Sequence, residues 1–134
     1  MKSVFILRGV PGNGKSTLAN KFCLMDNQAI VCEADAYFMK NGEYIYNRDE
    51  IHLAHQYCFD MFKSAMKQEV ETIIVSNTNT TEKEVNKYRT AAIAANYTVF
   101  VITVENWHKG SDVHNVPDDV KDRMRNNLMN SIKL

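Results

Sequence analysis

The chain has 134 residues, enough for one domain with its own core, and 45% hydrophobic with 24% charged residues excludes a disordered polymer. Its 16 basic and 16 acidic side chains cancel, so no global positive field marks a nucleic-acid binder. Cys23, Cys32 and Cys58 are odd in number and lack C-x-x-C spacing, which argues against a disulfide or metal framework and for buried reduced thiols; the opening run MKSVFILRG is too short for a signal peptide or membrane span, so a cytoplasmic compartment is expected.

In chain order, Ser3 to Arg8 predicts a short apolar strand, and Lys15 to Met25 a helix with Leu18, Ala19, Phe22 and Cys23 on one face. Ala29 to Glu33 predicts a second strand, and Asp35 to Tyr46 an irregular stretch turning at Asn41-Gly42. Asn47 and Glu50 have capping-box spacing ahead of a helical stripe of Ile51, Ala54, Cys58, Met61, Phe62 and Ala65. Thr72 to Ser76 predicts a third strand. Thr81 and Glu84 predict a second capping box, and Val85, Tyr88, Ala92 and Ala95 mark the helix behind it. Thr98 to Val104 predicts a fourth strand. Pro117 opens a last helix on which Val120, Met124 and Leu128 lie one turn apart. Near-continuous apolar strands alternating with helices predict a minimal four-stranded parallel sheet covered on both faces, in one domain over residues 1–134.

Between the first strand and first helix runs Gly9-Val10-Pro11-Gly12-Asn13-Gly14-Lys15-Ser16-Thr17, which contains an unbroken G-x-x-x-x-G-K-S. Glycines at these positions let successive backbone N–H groups turn inward on an anion, and the helix start adds its positive dipole end. Lys15 is suited to the β- and γ-phosphates and Ser16 to Mg²⁺. Gly9, Pro11, Gly12, Asn13, Gly14, Lys15, Ser16 and Thr17 are the expected nucleotide-binding residues, and Ser16 the expected metal contact.

Three further stretches bear on what is done with a phosphate. Asp35 follows the second strand, at the edge where open α/β sheets hold ligands, and can take a proton from an acceptor hydroxyl or stand as a solvated loop acid; Glu33 competes for the role. Asn77 stands near the end of the third strand, where a metal-binding acid is expected. Asn77 and Asn79 suit either a water shell around Mg²⁺ or plain turn chemistry. Arg123 and Arg125 lie on the last helix, about 117–130, as candidates to close over a transferring phosphate or as part of a solvated charged face. They point roughly 200° apart, so both do not face one phosphate. Arg8 is a weaker phosphate candidate and His114 a weaker acid–base candidate.

G-V-P-G-N-G-K-S-T, the Asp35 of ADAYF, NTNT and VHNVPDDVKDRM occur here in the order found in the phage polynucleotide 5′-hydroxyl kinase family, which the chain resembles over nearly its whole length. AHQYC, Ala54 to Cys58, resembles the small P-loop ATP-binding proteins of phage and bacterial genomes. The resemblance implies a P-loop NTPase-type three-layer α/β sandwich, ATP with Mg²⁺, Lys15 and Ser16 at phosphate and metal, Asp35 as general base, and Arg123 as the arginine of a C-terminal lid helix, seven residues after Val116. Three departures stand out: Phe38 replaces an arginine three residues after the base, Asn77 replaces an aspartate, and Asp122 stands where the phage kinase has its lid arginine. Phe38 is then expected to stack on a base.

The implied activity is ATP-dependent phosphoryl transfer to a hydroxyl, with a polynucleotide 5′-end as the leading acceptor. A nucleoside, nucleotide or other small molecule is the alternative acceptor, favoured by the neutral charge. An ATP-binding regulatory module without transfer is the alternative class, and has no need of Asp35. No membrane partner is expected, and a homo-oligomer is compatible with the sequence.

Overall fold

Apolar runs of alternating side-chain direction become β-strands when helices cover both faces of the sheet they form. The computed structural model describes residues 1–105 and 117–130. The chain runs β1 (Ser3–Arg8), α1 (Lys15–Met25), β2 (Ile30–Cys32), a 3₁₀ turn (Ala34–Phe38), β3 (Met39–Lys40), β4 (Glu43–Tyr44), a 3₁₀ turn (Arg48–Glu50), α2 (Ile51–Lys67), β5 (Thr72–Ser76), α3 (Glu82–Ala94), β6 (Thr98–Thr103) and α4 (Asp118–Asn130). The main sheet has four strands in the order β2-β5-β1-β6, and every pairing is parallel.

The two faces bury different residues of the same strands. Val4, Ile6, Ile73 and Val75 face α2 and α3, in a core with Ala54, Cys58, Phe62, Val85 and Tyr88. Leu7 and Ile74 face the other way, onto Ala19 with Leu18 and Phe22 of α1. This is the three-layer α/β arrangement the sequence predicts. From β1 the chain crosses to β2 at one edge, and from β5 it crosses β1 to reach β6 at the other. The connections therefore diverge between β5 and β1, which is where open α/β sheets form their ligand crevice, outside the carboxyl ends of the strands.

The expected strand boundaries hold at β1 and β5 and shorten at the edges: β2 is Ile30–Cys32 and β6 ends at Thr103. Beyond Cys32 the Ala34 N–H bonds the Asn77 side chain at 2.8 Å, which draws the backbone away from the ladder. The stretch read as irregular holds a small antiparallel hairpin with Met39 opposite Tyr44, turned by Asn41 and Gly42 at φ 53° and 82°. Two consecutive positive φ values fit the tight hairpin turns that Asn-Gly favours.

Of the two expected capping boxes, one forms. Thr81 accepts from the Glu84 N–H and Glu84 accepts from the Thr81 N–H, both at 3.3 Å. Asn47 instead accepts from the Asp49 N–H at 3.0 Å and starts the 3₁₀ turn that precedes α2. The tighter turn brings the second residue, not the third, to the cap. On α2 the buried stripe is Ala54, Cys58, Phe62, Ala65 and Met66, while Ile51 is exposed. On α4, Leu128 is buried and Val120 and Met124 are half-buried, as their spacing predicts. No described helix is long and apolar enough to cross a membrane.

Losing the Thr81 cap exposes an unsatisfied helix N–H. Thr81→Ala should therefore lower stability by about 1 kcal/mol, read as a lower urea midpoint at unchanged slope. An unchanged midpoint would show that solvent satisfies the end of α3 without the box.

Candidate active site

The loop after β1 is shaped by three constraints. Gly12 and Gly14 sit at φ 84° and 89°, where a side chain is strained. A Cβ on Gly9 would meet the Val104 carbonyl oxygen at 2.8 Å, closer than real Cβ contacts come. The Asn13 amide also donates to the Val104 oxygen, at 3.3 Å, and the Val104 N–H donates to the Arg8 oxygen at 2.7 Å. The end of β6 thus braces the loop. α1 begins at Lys15, with Gly14 at its N-cap, so the N–H groups of its first turn lie beside the loop. Ser16 and Thr17 lie exposed in the first turn. Lys15 is not fully exposed as a free loop cation would be. It is half-buried, and its ammonium donates to the carbonyls of Gly9 at 2.8 Å and Val10 at 3.0 Å.

Asp35 lies in the 3₁₀ turn after β2, on the same carboxyl edge as the loop and two strands away. At normal strand spacing that is about 10 Å across the sheet. Its carboxylate is exposed and accepts from the Tyr44 hydroxyl at 3.3 Å. The Asn41-Gly42 signal marks only a turn, and the short strands that deliver Tyr44 to this contact carry no sequence pattern of their own.

The asparagines after β5 do structural work. Asn77 Oδ1 accepts from the Ala34 N–H at 2.8 Å, and its amide nitrogen donates to Cys58 Sγ at 3.4 Å. A carboxylate could not supply the second bond, which explains an amide here. Asn79, at φ 48° and buried, donates to the Leu7 oxygen at 2.9 Å. Its own carbonyl accepts from Arg8 Nε at 2.8 Å. Both side chains bond to protein groups, the turn reading rather than the water-shell one. The Tyr88 hydroxyl donates to Cys58 Sγ at 3.3 Å, so one thiol joins α2, α3 and the loop after β5. Burial pushes the Cys32 thiol up to about 12 and raises Cys58 as well, leaving both protonated and unreactive at neutral pH. Both are free thiols, as is Cys23.

Two expectations fail on burial. Arg8 is fully buried at the end of β1; desolvation lowers its pKa against the opposing charge of Glu84, and it braces Asn79 in place of binding phosphate. Phe38 is 2% exposed and cannot stack on a base. It is the hub on which Tyr37, Tyr44 and Tyr46 lean, with ring centroids at 5.3, 6.1 and 5.2 Å. On α4, Arg123 is exposed, and Arg125 pairs with Asp122 at 3.0 Å. His114 and Val116 lie outside the described residues.

A cavity lined by Asp26, Gln28, Gln68, Glu69, Val70 and Glu71 opens at the amino ends of β2 and β5. Parallel sheets bind ligands at the opposite edge. The glycine loop and Asp35 share that edge, and the cavity belongs to neither.

A family model described as an AAA domain matches residues 4–109. The human NEDD4-binding protein 2 is 30% identical over 104 residues, which are 78% of this chain and 6% of that protein. A chain of the Pnkp1/Rnl/Hen1 RNA repair complex superposes with a TM-score of 0.74 at 15% identity, covering 98% of this chain and 45% of that one. The Mycobacterium tuberculosis APS kinase CysC superposes with a TM-score of 0.53 at 12% identity, covering 96% of this chain and 97% of that one. The two structures share the fold, and this chain spans under half of the repair-complex chain and a small part of the human protein. With the glycine loop, the parallel sheet and the family match all in place, the chain belongs to the AAA-domain family.

Proposed function

We propose that this protein transfers the γ-phosphate of ATP to a hydroxyl acceptor, with a polynucleotide 5′-end as the leading acceptor. The observation that carries the reading is Asp35: an exposed carboxylate on the same sheet edge as the glycine loop, two strands away. A module that only bound ATP would have no use for a base there.

The loop fits a polyphosphate. Gly12 and Gly14 hold dihedrals that turn N–H groups inward, and Gly9 admits close backbone approach. Lys15 already sits against the loop carbonyls, and its ammonium would exchange them for phosphate oxygens. Pro11, Asn13 and Thr17 complete the contact set. Among the described residues no group of three or more His, Cys, Asp or Glu side chains is built for a metal. The Ser16 hydroxyl, with phosphate oxygens and water, is the fitting site for Mg²⁺, which keeps much of its hydration. Bound there, Mg²⁺ would supply charge neutralisation between the phosphates.

In the proposed reaction the acceptor oxygen forms a bond to the γ-phosphorus. The bond to the β,γ-bridging oxygen breaks, ADP leaves, and the acceptor proton passes to Asp35. Arg123 is the lid arginine of this proposal, since Arg125 is already paired with Asp122. The neutral overall charge favours a second reading, in which the acceptor is a nucleoside or another small molecule. Transfer of label from γ-labelled ATP to 5′-hydroxyl DNA, 5′-hydroxyl RNA and nucleosides tests both, and ATP turnover without transfer to any hydroxyl would support a regulatory module.

Three variants probe the parts. Lys15→Ala should lower turnover by about 10²–10³, as loss of one preorganised donor does, while thermal unfolding stays cooperative. Equal nucleotide binding and turnover would remove the basis of the cradle. Asp35→Asn should keep ATP affinity and lose about 10²–10⁴ in transfer rate, because the amide takes no proton. Near-normal transfer would hand the role to Glu33 or water. Arg123→Ala should reduce turnover more than ATP affinity, and Arg125→Ala should do little. The reverse ranking in steady-state kinetics would place the functional arginine on the other side of α4.

A further inference from the structure

Four of the chain's six tyrosines, Tyr37, Tyr44, Tyr46 and Tyr57, gather around one spot. Phe38 is buried beneath them. Tyr44 and Tyr46 are stacked with planes 16° apart, and Tyr37 meets Tyr57 edge-on at 6.0 Å. Tyr46 is 53% and Tyr57 40% exposed, a large outlay of aromatic surface for residues the core does not need. The cluster adjoins Asp35 directly, through the Tyr44 hydroxyl.

We infer that this tyrosine cluster is the acceptor-specificity surface, and that it binds a flat unsaturated ring borne next to the reacting hydroxyl: one nucleoside unit, either free or at the 5′-end of a chain. The inference rests on the kinase reading of Asp35. Two observations select this occupant. Exposed aromatic surface in a cluster that meets the proposed base through Tyr44 suits a ring, because base–aromatic stacking needs no hydrogen-bond code. The surrounding charge argues against a tracked phosphate backbone. From Glu33 to Tyr57 the basic side chains are Lys40 and Arg48, against the acidic Glu33, Asp35, Glu43, Asp49 and Glu50. A polyanion bound along this surface would be repelled, while one neutral ring-bearing unit would not. The stacking role expected of Phe38 thus passes to the tyrosines that Phe38 supports.

The test compares acceptors and variants at fixed ATP. The acceptors are adenosine, a 5′-hydroxyl dinucleotide, a 5′-hydroxyl decamer, and the same decamer with an abasic first residue. The dinucleotide and intact decamer should have acceptor KM values within about threefold, while the abasic decamer rises about tenfold or more. Tyr46→Ala and Tyr57→Ala should each raise acceptor KM about tenfold with ATP KM unchanged, and Tyr46→Phe should restore it. Transfer to adenosine would identify the free nucleoside as sufficient; transfer to the oligomers alone would identify the chain end, and either satisfies the inference. An abasic decamer used as well as the intact one, or both alanine variants at wild-type acceptor KM, would overturn it and leave the kinase reading standing. If no hydroxyl is phosphorylated, calorimetric binding of adenosine and the dinucleotide separates the two ideas. Binding lost in Tyr46→Ala keeps the surface and removes the kinase; absence of binding removes the surface.

Discussion

The carboxyl end of β1 is the point from which the rest of the site hangs. Arg8 is buried there, and a buried guanidinium must be hydrogen-bonded or its desolvation goes uncompensated. The Asn79 carbonyl takes its Nε, and Asn79 itself turns back through a left-handed backbone to bond Leu7. Gly9 then donates to Thr78 at 3.0 Å and Val104 to Arg8 at 2.7 Å. These bonds tie the ends of β5 and β6 to β1 and fix where the glycine loop leaves the sheet. Gly9 has no room for a side chain because Val104 is held so close.

A second tie sets the position of Asp35. β2 is short and lies at the sheet edge, so its ladder alone would hold Asp35 weakly. The Asn77 amide fastens Ala34, one residue before Asp35, to the end of β5, and anchors itself on Cys58 of α2. An aspartate here, as the resemblance would have it, could accept from Ala34 but not donate to the thiol. The position serves to hold the segment, and in the proposed reaction Mg²⁺ would rely on Ser16 and the ligand's own oxygens.

The glycine loop and Asp35 therefore stand on different strands with β5 between them. The loop presents backbone shape and one cation, a combination suited to phosphate. The Asp35 side is built from a hairpin and the first turns of α2, and presents aromatic surface with acidic surroundings. In the proposed reaction, acceptor specificity would lie on that side, since the loop's backbone chemistry distinguishes phosphate and not what bears it.

The sequence by itself determined what rests on neighbouring residues. The G-x-x-x-x-G-K-S spacing, strands β1 and β5, the Thr81–Glu84 box and the stripe on α4 all depend on periodicity or on contacts within a turn, and all were legible. The Asn41-Gly42 turn was also written there, without its strands. Tertiary structure alone decided the strand order, the burial of Arg8 and Phe38, and the work of Asn77 and Asn79. Ala34 and Asn77 are 43 residues apart, and Arg8 and Asn79 are 71 apart. No local pattern encodes such pairs, because whether a polar side chain turns to solvent or to a buried backbone group depends on which strands the closed sheet brings side by side.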